Sequence, residues 1–550
     1  MTTSFRQREA IALNGELQGI DDAMADLVRK RADVCFRING VCATTSVFAP
    51  ELLATIFQHV CFLPSEPKDH DPHSPIILAS VSRCWRQVVR STPSLWTSLG
   101  ISFWDSEYIS ADAVKLLRTY FEKSASLPVS LRLNLPRATR EGRDVPEPPS
   151  GPRQSPPSDG RRMPPPGPRR RPGLHDVGIK DVFEFIAIQN PAKLRALFID
   201  ELPLPWLIVY IWGSPYDGLN NFTLPSLERL HVIMPDIRPV NWPSSRTIPS
   251  STIPRLTHLV LEQKLPLGLE FPYHQLTTLE LDEVPINDCF RVIRSCTNVV
   301  NCYCRRPRHP PDNSPGPLTA PIRLSHVKTF AWTFGFQRWD EMLLQCISLP
   351  ALEVFICEDQ RPDSIVGLEN KQYNELSWRN LQSMFLHQSP NLRVFKSLAI
   401  DPLHWDTRSL ASDLPQTIQE LHLRYVNANV ANSFMSALTP KPGSSDSPVP
   451  FPHLKYLNIE IENIYWIKEL VLDFVRARRS QDLQALDLQA RLERLDLRRG
   501  RMGRTGGQMD IAKNLVTQFQ EFVDDGLFLV TAIRSGGHMK WSRTRKDVIV

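Results

Sequence analysis

The sequence predicts an α+β protein in two parts: a small all-α module near the N-terminus, then an irregular α/β solenoid patterned on leucine. Three observations carry this. Up to residue 100 the apolar residues recur at helical spacing, punctuated by proline, serine and threonine. From residue 194 onward a Leu-x-x-Leu-x-Leu pattern returns repeatedly. Between them, residues 136–173 are too rich in proline and arginine to build a core. With 550 residues, 42% of them hydrophobic and 22% charged, the chain has material for more than one core.

The first expected element is an amphipathic helix over 8–38. Ala10, Leu13, Leu17, Ile20, Met24, Leu27 and Val34 fall on alternating three- and four-residue steps, and Arg31 breaks one position. So narrow a stripe suits packing against one partner helix. At about three heptads it is short for a self-sufficient coiled coil. Packing on the next module of the same chain is therefore expected, with dimerisation as the alternative.

That next module spans 46–100. In the stretch Phe48-Ala-Pro-Glu-Leu-Leu-Ala-Thr-Ile-Phe-Gln-His-Val60, Pro50 suits a helix start and Glu51 the positive end of its dipole. Leu52, Leu53, Ile56, Phe57 and Val60 form one apolar face. A loop rich in proline, aspartate and histidine follows from Leu63 to Pro75. A second helix is expected from about Ile77 to Val89, with Leu78, Val81, Trp85 and Val88 on one stripe. Ser91-Thr-Pro93 stops it, because a residue before proline resists helical dihedrals. Leu95 and Trp96 open a third short element.

The order PELLATIF, then LASVSRCWRQVVRSTPSLW, resembles the F-box, a small helical module that docks a Skp-family adaptor in cullin-RING ubiquitin ligases. It is most similar to the form common in mushroom-forming fungi, where a heptad helix precedes the module. The resemblance covers residues 48–99, under a tenth of the chain. It implies that Pro50, Leu52, Leu53, Ile56 and Phe57 face the adaptor, that Val81, Trp85 and Val88 pack the core, and that Leu95 and Trp96 close it. Phe48-Ala49 stands where the family usually has leucine beside the proline, and Cys84 where a second basic residue is common. Neither removes the apolar face.

Residues 136–173 hold nine arginines against four acidic residues, which accounts for the entire net charge of +5. Twelve prolines and few large apolar groups predict a disordered linker or insertion. Arg169, Arg170 and Arg171 could serve nuclear import or touch RNA, but a solvated spacer is the plainer expectation. The rest of the chain is neutral, so nucleic acid is not an expected partner.

The repeats then occupy 176–535. Strong copies begin at Leu194, Leu227, Leu256, Leu276, Ile418 and Leu454, and at either Leu483 or Leu492; weaker ones begin at Val327, Leu352 and Leu392. Pro225, Pro254, Pro350, Pro390 and Pro452 each stand two residues before a first leucine, where they feed the chain extended into a strand. Successive starts lie 20 to 51 residues apart, and the asparagine that ladders regular repeats is mostly missing. The pattern is similar to the degenerate leucine-rich array that follows many fungal F-boxes. The full expectation is thus a small all-α F-box module followed by an irregular leucine-rich-repeat α/β solenoid. Such arrays bind through an extended concave surface. In strand register Arg229, His231, His258, Glu262, Thr278, Glu280, Asp282, Glu420 and His422 would point onto it.

No residue pattern demands catalysis. The cluster Cys289, Cys296, Cys302, Cys304 and His309 lacks the paired thiol hooks of structural zinc, so no metal is expected. The string Gly500 to Gly507 lacks the lysine and the strand-to-helix passage of a P-loop. His70 and His73 sit in the inter-helix loop, where solvation explains them. There is no nucleophile elbow and no His-Glu-x-x-His. Residues 1–10 carry no apolar leader core, and the longest apolar run, Leu204 to Trp212, is half a membrane span. Ten scattered cysteines suit a reducing compartment, so cytoplasm or nucleus is expected. The expected function is a substrate receptor without enzymatic activity or cofactor. Its F-box would hold a Skp-family adaptor and, through it, a cullin, while its repeats hold a target protein. The alternative is an interaction scaffold that recruits no ligase.

Overall fold

The computed structural model describes residues 2–42, 48–61, 74–102, 108–109, 111–134, 177–200, 223–233, 246–263, 269–308, 321–334, 338–359, 383–398, 411–426, 428–439, 450–461, 467–479, 491–499, 517–535 and 538–544. The proline- and arginine-rich segment 136–173, the apolar run 204–212, His70, His73, His309, Leu483 and the glycine string 500–507 lie outside them. The chain is mixed helix and strand with extensive parallel pairing, and it divides into two compact units, Met1–Leu227 and Glu228–Val550.

In the first unit, α1 (Thr2–Cys42) precedes α2 (Pro50–Cys61), α3 (Ser74–Val81), α4 (Arg83–Ser91) and a 3-10 turn, Pro93–Trp96. The helix expected over Ile77–Val89 is broken at Ser82. That residue is extended (φ −152°) and its Oγ accepts a hydrogen bond from Trp85 N at 3.1 Å, so it caps α4. Serine competes well for backbone donors at such a position, and a single helix becomes two. Val81 is consequently half exposed instead of lying on a continuous buried stripe. The stripe of α1 likewise differs from expectation. Leu13, Leu17, Ile20, Met24, Leu27 and Val34 are all exposed and do not pack on the following module.

Strand structure begins before the proline-rich segment. β1 (Ser98–Ser102), β2 (Val129–Asn134) and β3 (Leu194–Asp200) pair in parallel, with α5 (Ala111–Lys123) between the first two. Register aligns Leu99, Leu131 and Leu197 in one row and Ile101, Leu133 and Ile199 in the next, all of them buried. Each such side chain contributes about 1.5–3 kcal/mol on burial. Residues 136–173 therefore interrupt a sheet, and the boundary expected at 176 falls inside a compact unit instead of between two. Separating units there would split strands that share a core.

The second unit carries β4 (Arg229–Ile233), β5 (His258–Glu262), β6 (Thr278–Asp282), β7 (Asn301–Arg305), β8 (Thr329–Phe334), β9 (Val354–Asp359), β10 (Val394–Leu398), β11 (Glu420–Val426), β12 (Tyr456–Ile461), β13 (Arg494–Arg499) and β14 (Phe528–Ser535). From β5 onward each pairs in parallel with the strand before it. β15 (His538–Thr544) returns antiparallel on β14, so the sheet continues past the expected end at 535.

Inner positions form rows along the register, such as Leu259, Leu279, Cys302 and Phe330, which are buried. Helix α6 (Ile286–Ser295) covers this side: its Phe290 ring lies 6.0 Å from both Trp332 and Trp339. Trp332 Nε1 in turn donates to buried Asp340 at 2.9 Å. The copy beginning at Leu492 forms a strand: Leu492 is buried ahead of β13, and Leu495 and Leu497 within it.

Three successive strands end alike. Gln263, Glu283 and Arg306 follow β5, β6 and β7 in the left-handed region, at φ 72°, 54° and 46°. Gln263 N donates to Asp282 O at 2.7 Å and Glu283 N to Arg305 O at 2.9 Å, so each of these two turns is tied to the next strand's end.

Candidate functional site

Two surfaces stand out, one in each unit. In the first, α2 has two apolar sides. Leu53, Phe57 and Cys61 are buried; the Phe57 ring lies 4.8 Å from Trp85 and tilted against it. Burial also lifts the Cys61 thiol to about 11, which keeps it neutral. Gln58 Nε2 donates to Ser94 Oγ at 2.7 Å, fastening α2 to the 3-10 turn. Trp96 closes the core from below: its Nε1 donates to Val89 O at 2.9 Å and its ring meets Tyr120 edge-on at 5.1 Å.

A second side of α2, about 100° round from the first, is open. Leu52, Ile56 and Val60, spaced four residues apart, are 48%, 39% and 50% exposed, and Phe48 ahead of them is 41% exposed. Ile76, Ile77 and Val81 of α3 are exposed as well. Of the residues assigned to an adaptor face, Pro50, Leu52 and Ile56 are exposed, whereas Leu53 and Phe57 are not. The latter two belong to the core, because a helix packed through one face buries residues at i and i+4 together. Of those assigned to the core, Val88, Leu95 and Trp96 are buried, Trp85 is half-buried and Val81 lies outside.

In the second unit, the strand positions that alternate with the inner rows form register rows of their own, in which Val260, Ala331, His422, Asn458, Asp496 and Val530 are buried. One runs His231, Val260, Glu280, Tyr303, Ala331, Ile356, Lys396, His422, Asn458, Asp496 and Val530. The predicted residues lie on these strands, yet most bond to one another. The His231 Nε2 to Glu262 Oε1 distance is 2.8 Å and the His258 Nε2 to Glu280 Oε1 distance 2.9 Å, both across strands. The bond to His258 holds the Glu280 carboxyl below the usual range. Asp282 receives both Arg306 Nε and Nη2, at 3.1 and 2.7 Å.

His422 departs furthest from expectation. It is buried beneath the Tyr456 ring, which meets it edge-on at 4.7 Å, and Asn458 Nδ2 lies 3.3 Å from its Nδ1. Burial lowers its pKa to about 4, against the opposing pull of Glu420, whose Oε2 lies 3.4 Å from Nε2. Glu420 stays half exposed at the rim.

A charged centre that the sequence reading missed sits beside it. Asp496 is fully buried and accepts from Arg494 Nε at 2.8 Å, Tyr456 OH at 2.8 Å and Arg498 Nη2 at 3.0 Å. Burial alone would raise its pKa; those three donors outweigh it and hold the carboxyl below its ordinary value. The Arg494 guanidinium also lies 4.6 Å over the Tyr456 ring. The signal was present in the sequence, at the variable positions of the copy beginning at Leu492, where Arg494, Asp496 and Arg498 alternate with leucines. Between the two polar clusters, the outward positions Val354, Ile356 and Val394 form a part-exposed apolar strip.

Cys289, Cys296, Cys302 and Cys304 all lie buried in the second unit. Cys302 and Cys304 occupy inner leucine positions of β7, paired in register with Leu279 and Leu281. Burial, followed by contacts with Cys289 and Cys302, pushes the Cys304 thiol far up. Among the described residues no three histidines, cysteines or carboxylates converge as metal ligands, and no helix is long and apolar enough to cross a membrane. No family model matches the chain, and no curated protein matches it.

Proposed function

We propose that this protein is a substrate receptor of a Skp-cullin-F-box type ubiquitin ligase. Residues 46–100 are the F-box and dock a Skp-family adaptor. The outward strand positions of Glu228–Val550, read as degenerate leucine-rich repeats, take the target protein. The observation that carries this is the second apolar side of α2. A helix that has already buried Leu53 and Phe57 gains nothing for its own fold by displaying Leu52, Ile56 and Val60 to water. Such a stripe on a small helical module fits a partner's groove. The ordered motif over 48–99 names the partner class.

For the target side, the support is an apolar strip, Val354, Ile356 and Val394, rimmed by paired charges. An interface with an apolar centre and a polar rim has that layout. The receptor performs no bond chemistry in this reading. It holds a target near a ubiquitin carrier supplied by other subunits, raising the effective concentration of target lysines there.

The test is binding of purified full chain to a purified Skp-family adaptor. Leu52→Asp with Ile56→Asp places two charges in the proposed contact without touching the core. Affinity should drop at least a hundredfold while circular dichroism stays unchanged. Wild-type affinity in that folded variant, or no adaptor binding by the wild-type chain, sinks the assignment. Leu53→Asp is unsuitable for this purpose, because a charge at a buried position unfolds the module itself.

A further inference from the structure

We propose that α1 is a dimerisation element that pairs antiparallel with α1 of a second copy of this chain. This stands independently of any adaptor binding. Leu13, Leu17, Ile20, Met24, Leu27, Val34 and Ile38 occupy the a and d positions of a heptad, and each is 52–65% exposed. Only Arg31 interrupts the series. The helix has 41 residues, about 60 Å of length. Gly15 and Gly19, with nothing near them, lie off this seam and weaken the helix as an isolated rod. A helix of that kind owes its stability to packing on its apolar stripe. An ion pair joining α1 to α4, Asp33 with Arg83 at 3.5 Å, also lies off the seam and leaves it clear.

Charge selects the partner and the direction. From Glu9 to Asp26 the charged residues are all acidic: Glu9, Glu16, Asp21, Asp22 and Asp26. From Arg29 to Ile38 they are basic, namely Arg29, Lys30, Arg31 and Arg37, apart from Asp33. A parallel pair would set like charge against like, whereas an antiparallel pair sets the acidic half of one copy against the basic half of the other.

One register satisfies the whole seam. Leu13 faces Ile38 of the second copy, Leu17 faces Val34, and Met24 faces Leu27. Arg31 falls beside Ile20, whose neighbours Glu16 and Asp21 receive its charge, and Arg37 meets Glu16 at the seam edge. At roughly 100 Å² removed from water per seam side chain, the seven bury about 700 Å² per copy, close to the per-partner area of a standard interface.

Sedimentation equilibrium and light scattering on the full chain, from submicromolar to tens of micromolar, test this. The expected species is a dimer of the 62.8 kDa chain. Met24→Asp with Leu27→Asp should make it monomeric over that range. Glu16→Arg or Arg37→Glu alone should weaken association several-fold, and the two together should restore it. Asn14→Cys should form an intermolecular disulfide with exposed Cys35 under mild oxidation. In a parallel pair those positions stand about 30 Å apart and do not cross-link. A monomer at every concentration, a dimer indifferent to Met24→Asp with Leu27→Asp, or no cross-link together with no charge-swap rescue overturns the proposal.

Discussion

Trp96 should connect the stability of the helical module to that of the first strands. Its side chain is 4% exposed, its Nε1 holds Val89 O at 2.9 Å, and its ring meets Tyr120 of α5 at 5.1 Å. Three residues later, Leu99 begins the buried row shared with Leu131 and Leu197. Trp96→Ala removes a buried indole, at about 3–5 kcal/mol. Losing the Nε1 bond to Val89 O, which keeps Thr92 N at 3.4 Å, adds about 0.5–1 kcal/mol. A total near 5 kcal/mol is comparable with the whole stability of an ordinary domain. Trp85 keeps more exposure than Trp96, so Trp85→Ala should cost less than Trp96→Ala. Hydrogen–deuterium exchange on the full chain separates the cases. With Trp96→Ala, amide protection should fall across 50–61 and 83–102 and also in 129–134 and 194–200. With Trp85→Ala the loss should be smaller and centred on 50–91. Wild-type protection of β1 to β3 in a Trp96→Ala chain whose helices have melted would refute the coupling, and would restore a boundary between helices and sheet.

The strong leucine copies were legible because leucine at three fixed steps is what a strand with one buried side requires. The strands that escaped notice use other residues for the same job. In β7 the row positions are Cys302 and Cys304, which read as a thiol cluster until register shows them beside Leu279 and Leu281. In β1 the sequence Trp96-x-x-Leu99-x-Ile101 follows the repeat pattern, with tryptophan in the first leucine position. The weak copies are ordinary strands in which Phe330, Trp332, Phe355 and Phe395 replace leucine. At the candidate sites, periodicity showed that α2 was amphipathic but not that it had two apolar sides. Leu52 and Leu53 are adjacent in sequence and about 100° apart on a helix, so only packing shows which one is buried. His422 is covered for a similar reason: its diagonal neighbour on the next strand, Tyr456, is large enough to lie over it.

Two further outcomes are expected. Cys302→Ser and Cys304→Ser should each lower stability by about 1–3 kcal/mol, since a hydroxyl without a partner replaces a small apolar group; a chelator should leave the wild-type melting temperature unchanged, and a clear drop with chelator would mean a metal holds these thiols. The last concerns acid. His422 has a folded pKa of about 4, below the unfolded value near 6.5, because burial disfavours its cation. Above pH 6.5 both states are neutral there and the residue makes stability independent of pH. Between 6.5 and 4 the unfolded chain binds a proton that the folded chain refuses, so stability falls as the pH falls, by on the order of 3 kcal/mol across the window. Carboxylates with lowered values, Glu280 and Asp496, lose their share at lower pH still, since their folded forms stay ionised below the ordinary range. Urea titrations of the wild type and of His422→Gln from pH 7 to pH 4 isolate the imidazole. The variant should be flatter through that window, so the wild type should lose on the order of 3 kcal/mol relative to it by the acid end. Parallel curves would mean that His422 takes up its proton in the folded protein as readily as in the unfolded chain, and that Tyr456 and Asn458 do not shield it from water.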